Sequence, residues 1–135
     1  MCMADYADDM PTIYRRKDHH TRKDRKCDEC GRIIAKGELY QNAFMVYDGE
    51  GSTYITCEHC TVGQAWLSEN CGGFLHGAVW EDLEEHISEY PTLAFALSRL
   101  KVARRRQWKR FDKRGLMTVP PIPETLEAIG LERRP

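Results

Sequence analysis

Four cysteines in two Cys-x-x-Cys pairs are the residues of this chain whose types and spacing best define a chemistry. Cys27 and Cys30 form one pair, and Cys57 and Cys60 form the other. Two intervening residues let both thiolates of a pair face the same side of a tight turn, so each pair can bind one side of a tetrahedral ion. Two pairs give a closed shell of four sulfurs with no open position for water or substrate. The pattern therefore predicts one structural Zn²⁺ of the zinc-finger type.

A disulfide framework is the alternative use of these cysteines, and the sequence disfavours it. The start of the chain, from Met1 to Met10, is acidic and lacks the apolar core of a secretory leader, and no stretch has the length and hydropathy of a membrane span. We therefore expect a cytoplasmic protein whose paired thiols stay reduced and bind metal. Cys2 is expected to be an exposed thiol near the start of the chain.

A second metal site could in principle be assembled from four further residues: Cys71, His76, His19 and His20. Their spacing matches no familiar metal site. We expect Cys71 to pack as a small apolar side chain beside Phe74. His59 lies between two predicted ligands, and we expect it to point away from the ion.

The elements around the first cysteine pair are predicted from turn and strand patterns. Gly31 follows that pair and supplies the permissive backbone that a metal-binding knuckle needs. Residues 38–47 and 53–56 are rich in aromatic and β-branched side chains, and the turn-forming cluster 48–52 separates them. This pattern predicts a β-hairpin with a loop of about five residues. The hairpin returns the chain to the second pair.

The second cysteine pair is predicted to lie in the first turn of a helix. After Cys60, the apolar residues Val62, Ala65 and Trp66 follow helical spacing. The N-terminus of a helix favours negative charge, which suits thiolate ligands. The order of knuckle, hairpin and helix resembles the treble-clef zinc fold.

Two further helices are predicted after a glycine-rich break at residues 70–77. Residues 79–89 have one apolar face and several acidic residues elsewhere. Pro91 suits the first position of a second helix, and Gly115 suits its end. Its apolar face comprises Leu93, Leu97, Leu100, Trp108 and Phe111. The predicted fold class is α+β, with a small zinc-stabilised treble-clef-like unit followed by two or three helices.

The domain organisation follows from composition. The length of 135 residues suits one domain with a modest core. Residues 1–26 are predicted to form a flexible tail that is first acidic and then basic. Residues 27–114 are predicted to form the zinc-binding domain with its C-terminal basic helix. Residues 115–135 are predicted to form a proline-containing tail.

The formal net charge of −1 conceals strong segregation of charge. Residues 14–26 carry seven basic residues against two acidic ones, and residues 98–114 carry nine against one, whereas residues 27–97 are strongly acidic. Such blocks indicate a polyanionic partner, or neutralisation within the molecule. Residues 14–26 could serve as a nucleic-acid arm or as a solubilising tail.

The basic helix is the main functional candidate in the sequence. Its cations could neutralise phosphates, while Trp108 or Phe111 could stack on bases. The cations are Arg99, Lys101, Arg104, Arg105, Arg106, Lys109, Arg110, Lys113 and Arg114. The alternative is an internal partner on the preceding helix, formed by Glu81, Asp82, Glu84, Glu85 and Glu89. Whether the basic residues pair with these acidic ones distinguishes the two interpretations.

The segments CDECGRIIAKGELYQ, VYDG and TYITCEHC together resemble small zinc-binding proteins of unknown function from tailed bacteriophages. These proteins pair a Cys-x-x-Cys-Gly knuckle and a Gly-Glu-x-Tyr strand start, here Gly37, Glu38 and Tyr40, with a closing Cys-x-x-Cys. The resemblance covers about residues 27–89, and only the four cysteines carry over as ligands. It implies a phage origin and the host cytoplasm, and it implies no activity.

No arrangement in the sequence supports catalysis. Treble-clef nucleases place a histidine on the hairpin, and residues 38–56 contain none. No glycine-rich phosphate loop follows a strand. We therefore predict a non-enzymatic protein that binds DNA or RNA through basic segments. The alternative is a protein-binding inhibitor or modulator of a host enzyme, in the defence or transcription machinery, that uses helix 79–89 or exposed aromatics such as Tyr47 and Tyr54.

Overall fold

Five strands and three helices are present in the computed structural model, which describes residues 11, 13–110, 112 and 114–130. The strands are β1 (Ile13–His20), β2 (Arg25–Lys26), β3 (Ile33–Ile34), β4 (Leu39–Tyr47) and β5 (Glu50–Cys57). The helices are α1 (Glu58–Cys71), α2 (Val79–Glu89) and α3 (Ala94–Arg105), and a 3₁₀ turn at Pro91–Leu93 leads into α3. The predicted mixed α+β class is confirmed.

A three-stranded antiparallel sheet has β4 at its centre and the order β1-β4-β5. The hairpin between β4 and β5 was predicted, but its loop is shorter than expected, since Tyr47 pairs directly with Glu50. Asp48 and Gly49 form a two-residue turn with φ of 48° and 82°. Asp-Gly favours such a left-handed turn, whose twist matches that of the flanking strands.

The N-terminal basic stretch is not the flexible tail that the sequence predicts. Residues 13–20 form β1, which pairs along its length with β4, and residues 25–26 form β2, which pairs with β3. Every side chain of β1 is exposed, so no alternation of apolar and polar residues marks it as a strand. Backbone hydrogen bonds to β4 hold it at the edge of the sheet, where charged side chains are well tolerated. Residues 1–10 lie outside the described part of the chain.

The basic helix is shorter than its apolar periodicity predicts. Helix α2 has the predicted bounds, but α3 ends at Arg105 and does not reach Gly115. Gln107 and Trp108 have left-handed backbones with φ of 54° and 60°. This reversal places the Trp108 ring in the core with no exposed surface, 5.8 Å from the ring of Trp80. Phe111, which the sequence assigns to the same helix face, lies outside the described residues.

The segment after Gly115 is not a free tail, because Met117, Leu126 and Ile129 pack on the core. Leu126 is 2% exposed, and its amide donates to the side-chain oxygen of Asn70 over 3.0 Å. The indole N–H of Trp66 donates to the carbonyl of Glu124 over 3.1 Å. The core that it joins is formed by α1, α2 and α3, with Trp66, Leu67, Val79, Leu83, Leu97, Leu100 and Trp108 buried. Residues 131–135 lie outside the described part.

Among the described residues, no helix combines the length and the apolar character that crossing a bilayer requires.

Candidate functional site

The knuckle between β2 and β3 carries the first cysteine pair. The amide of Cys27 donates to the carbonyl of Arg32 over 2.9 Å, and the amide of Gly31 donates to the carbonyl of Cys27 over 2.9 Å. Gly31 has a φ of 79°, a left-handed conformation that glycine adopts without strain. The chain therefore folds back tightly enough for Cys27 and Cys30 to face the same side.

The second pair is placed by the end of β5 and the start of α1, as the sequence predicts. Cys57 is the last residue of β5, and Cys60 lies in the first turn of α1. Asp28 joins the knuckle to β5, because its amide donates to the carbonyl of Ile55 and its carboxylate accepts from the amide of Ile55, both over 2.7 Å. This two-point link brings the cysteine pairs together.

The four sulfurs form a compact, buried cluster. Their atoms all lie within 4.8 Å of one another, and none of the four residues is more than 9% exposed. The sulfurs of Cys27 and Cys60 are 3.9 Å apart, and those of Cys30 and Cys57 are 3.7 Å apart. A tetrahedral site with Zn–S bonds of about 2.3 Å requires sulfurs about 3.8 Å apart. The four cysteines are not in disulfides, and the cluster could hold a metal ion such as zinc.

The electrostatics of the cluster favour a bound cation. Hydrogen bonds from Cys30, Cys57 and Cys60 lower the pKa of the Cys27 thiol. Hydrogen bonds with Cys27 and then with Cys30 and Cys57 raise the pKa of the Cys60 thiol, and burial raises it further. One thiolate thus disfavours ionisation of the neighbouring thiols, because like charges repel. A bound divalent cation offsets this repulsion when all four sulfurs are ligands.

A polar network that the sequence did not reveal lies beside the cysteines. Arg32 is 3% exposed and binds both carboxylate oxygens of Glu38, at 3.1 and 3.2 Å. Its guanidinium also donates to Nδ1 of His59 over 3.2 Å. The other ring nitrogen of His59 is 2.6 Å from the carbonyl of Met117. Both ring nitrogens of His59 therefore have hydrogen-bond partners inside the protein, Arg32 and Met117. The sequence gives no sign that Arg32 and Glu38 pair, and only the folded chain brings them together with His59.

Glu29, in the middle of the knuckle, connects the cysteine cluster to α3. Its carboxylate accepts from the amide of Gly77 over 2.5 Å, and its carbonyl accepts from the guanidinium of Arg104 over 3.2 Å. Burial raises the pKa of the Glu29 carboxyl to about 7. One of the predicted nucleic-acid-binding cations, Arg104, thus has a structural partner inside the protein.

The residues weighed for a second metal site are not brought together. His76 contacts the rings of Tyr14, Tyr54 and Phe74. His19 lies against Tyr40, and Nδ1 of His20 is 3.2 Å from the carbonyl of Gly37.

Cys71 and Phe74 are both partly buried against the core. The sulfur of Cys71 is 3.4 Å from Nε2 of His86, which is also close to Asp82. The ligand atoms of Cys71, Asp82 and His86 all lie within 4.8 Å of one another, a grouping that the sequence did not reveal. Cys2 lies outside the described residues.

The nine predicted nucleic-acid-binding cations fall into two groups. Arg99, Lys101, Arg104 and Arg105 lie on α3, whereas Arg106, Lys109, Arg110 and Arg114 follow it. Lys113 lies outside the described residues. Lys101 pairs with Glu84 of α2 at 3.3 Å, which is the internal pairing that the alternative interpretation expects. Arg110 and Arg114 both approach Asp112, at 3.4 and 3.3 Å. Lys101 thus pairs with the acidic helix, whereas Arg110 and Arg114 pair with Asp112.

Two adjacent grooves are lined by several of these cations. The first encloses about 780 Å³ along α3, and we call it the α3 groove; its lining includes Phe95, Arg99, Val102, Arg106, Lys109, Arg110 and Met117. The second encloses about 680 Å³ beside the knuckle, and we call it the knuckle groove; its lining includes Ile33, Arg106, Lys109, Arg110 and Leu116. Both grooves therefore combine apolar side chains with cations.

The aromatic side chains proposed for a protein interface are less available than expected. Tyr47 and Tyr54 are both partly buried. The ring of Tyr54 stacks on His76, with centroids 5.4 Å apart.

Comparisons of the chain with protein-family models, curated proteins and solved structures give no match. The fold and the site define a mixed α+β protein with a buried cluster of four cysteines suited to a metal ion such as zinc.

Proposed function

We propose that this protein is a non-enzymatic zinc protein that binds nucleic acid through its basic surface. The four cysteines hold one structural Zn²⁺, and β2–β3, β4–β5 and α1 then form a treble-clef-like unit in which the knuckle, the hairpin and the first turn of the helix supply the ligands. The tetrahedral spacing of the sulfurs supports this choice of metal.

The observation that carries the binding proposal is the cationic lining of the two grooves. Four basic side chains and one acidic side chain line the α3 groove: Arg99, Arg106, Lys109, Arg110 and Asp112. Lys109 and Arg110 are exposed and border both grooves. Clustered cations of this kind bind phosphates by releasing condensed counterions, largely without regard to sequence.

The test is fluorescence anisotropy of labelled nucleic acids with the zinc-loaded chain across a salt series. The variant Lys109→Glu/Arg110→Glu is expected to weaken binding strongly and to reduce the slope of log K against log salt by about two. The matched control Arg22→Glu/Lys36→Glu makes the same change of charge at exposed positions outside both grooves, and it is expected to bind more tightly than the groove variant.

Two results would contradict the proposal. If nucleic acid does not bind at low salt, the surface serves another partner, and the protein-binding alternative gains support. If both variants lose affinity equally, the attraction is a general effect of charge, and the grooves are not the binding surface.

A further inference from the structure

The floor of the α3 groove exposes an unusual amount of apolar surface. Phe95 is 76% exposed and Val102 is 54% exposed. They lie seven residues apart on α3, so they share one face of the helix two turns apart. Ala103 and Met117 extend this floor. An exposed aromatic side chain within an apolar patch marks a contact surface more often than an isolated one does.

Cations separate this floor from a second apolar area. The knuckle groove is lined by Ile33, which is 58% exposed, and Leu116, which is 42% exposed. The two grooves share Arg106, Lys109 and Arg110, which form a cationic ridge between them. The order across the surface is therefore apolar, cationic and apolar.

We propose that these grooves bind an unpaired, single-stranded segment of nucleic acid, with one base on Phe95 in the α3 groove, the next in the knuckle groove, and the intervening phosphate on the cationic ridge. The proposal rests on the nucleic-acid-binding function and specifies its substrate class. In a duplex the flat faces of the bases are stacked on one another, so an apolar floor has nothing to contact. In a single strand those faces are available for stacking on aromatic side chains.

Arg99 adds to the case for a base on Phe95. Its guanidinium carbon lies 5.8 Å from the centroid of the Phe95 ring, so an aromatic surface and a positive charge lie side by side in the lining of the groove. Alternation of base and phosphate along a strand matches the alternation of floor and ridge. An acidic peptide would use the ridge but would not require two separate apolar floors.

The experiment compares labelled oligothymidylate and oligouridylate of about 12 nucleotides with a duplex of the same length, using the zinc-loaded full-length chain. Single strands are expected to bind about ten-fold more tightly than the duplex, and Phe95→Ala is expected to remove most of this difference by weakening single-strand binding about ten-fold. Val119→Ala is the control, because Val119 is 42% exposed and lines neither groove.

The outcomes separate this proposal from the one on which it rests. Equal binding of single strand and duplex, with no effect of Phe95→Ala, overturns the single-strand inference and leaves nucleic-acid binding standing. Failure of every nucleic acid to bind overturns both. Because Phe95 is largely exposed, its replacement is not expected to disturb folding, and an unchanged far-ultraviolet circular dichroism spectrum verifies this.

Discussion

Nε2 of His59 donates a hydrogen bond to the main-chain carbonyl of Met117 over 2.6 Å, joining residues 58 positions apart in the chain. The direction follows from the partner on the other side of the ring, since the guanidinium of Arg32 can only donate and Nδ1 must accept. His59 thus lies between two cysteines of the cluster and also fastens the chain after α3 to α1.

Replacing His59 tests this link. His59→Phe keeps an aromatic ring beside Trp108, 5.2 Å away in the native protein, but leaves the buried Arg32 guanidinium and the Met117 carbonyl each without one partner. The expected loss of unfolding free energy is about 1–3 kcal/mol, measured by urea denaturation of the zinc-loaded protein. His20→Phe is the control at an exposed position, with an expected change within about 0.5 kcal/mol. Equal stabilities of the two variants would contradict the role of His59.

The packing of the C-terminal segment predicts a second stability effect. Leu126 is 2% exposed, so Leu126→Ala is expected to cost about 2–4 kcal/mol through lost burial and the cavity that remains. Ile122 lies in the same segment but is 49% exposed, and Ile122→Ala is expected to change stability by less than about 0.5 kcal/mol. Thermal unfolding of both variants measures the contrast. If Leu126→Ala unfolds with the native midpoint, the segment does not contribute to the core.

The sequence did not predict two features of the structure: the packing of the segment after Gly115 on the core, and the end of α3 at Arg105. The segment after Gly115 has several prolines and no regular apolar period, so its local pattern favours a tail, whereas Leu126 and the carbonyl of Glu124 find partners on α1. The end of α3 was missed because the spacing of Trp108 continues the apolar face of the helix. Burial of that indole against Trp80 overrides the periodicity and requires a reversed backbone. Tertiary contacts, which a single sequence does not display, decide both cases.

The elements near the cysteines were predictable for physical reasons. Helix α2 shows a clear amphipathic period, and the β4–β5 hairpin combines β-prone residues with a strong turn signal at Asp48–Gly49. The two cysteine pairs could be recognised as candidate metal ligands because the Cys-x-x-Cys spacing is a local feature of the sequence. Strand β1 was missed because hydrogen bonds, rather than buried side chains, attach it to the sheet. The network of Arg32 and His59 depends on residues far apart in the chain, so it has no local signature.

Metal removal should have a large effect if the four cysteines bind zinc. We expect about one zinc per chain by metal analysis of the reduced protein, and a strong chelator is expected to unfold the knuckle because comparable sites contribute about 10 kcal/mol to folding. Cys60→Ser is expected to lower both the zinc content and the melting temperature. Thr53→Ser is the control, since Thr53 is exposed and belongs to no cluster of metal-ligating residues, and it should retain the native zinc content. Equal zinc contents in the two variants would show that Cys60 is not a ligand.

His76 provides a pH-dependent contribution to stability whose sign follows from its surroundings. Burial, and then the positive charge of Arg16, lower the pKa of His76 below its ordinary value. Its Nδ1 is buried without a hydrogen-bond partner among the described residues, while Nε2 is 2.8 Å from the hydroxyl of Tyr14. The unfolded chain therefore takes up a proton more readily than the folded one. Stability should be lost as the pH falls through about 6.5, the ordinary pKa of histidine, and His76 should contribute no such dependence above it.

The measurement is urea unfolding of the native protein and of His76→Gln between about pH 5 and about pH 7.5. Glutamine retains a polar partner for Tyr14 and does not titrate, so the other ionisable groups contribute equally to both proteins. The native protein is expected to lose stability relative to the variant as the pH falls, because protonation places a charge between the rings of Tyr14, Tyr54 and Phe74. A stability difference that stays constant across this range would mean that the folded state binds the proton as readily as the unfolded chain. In that case the ring cluster around His76 is more open to water than its contacts indicate.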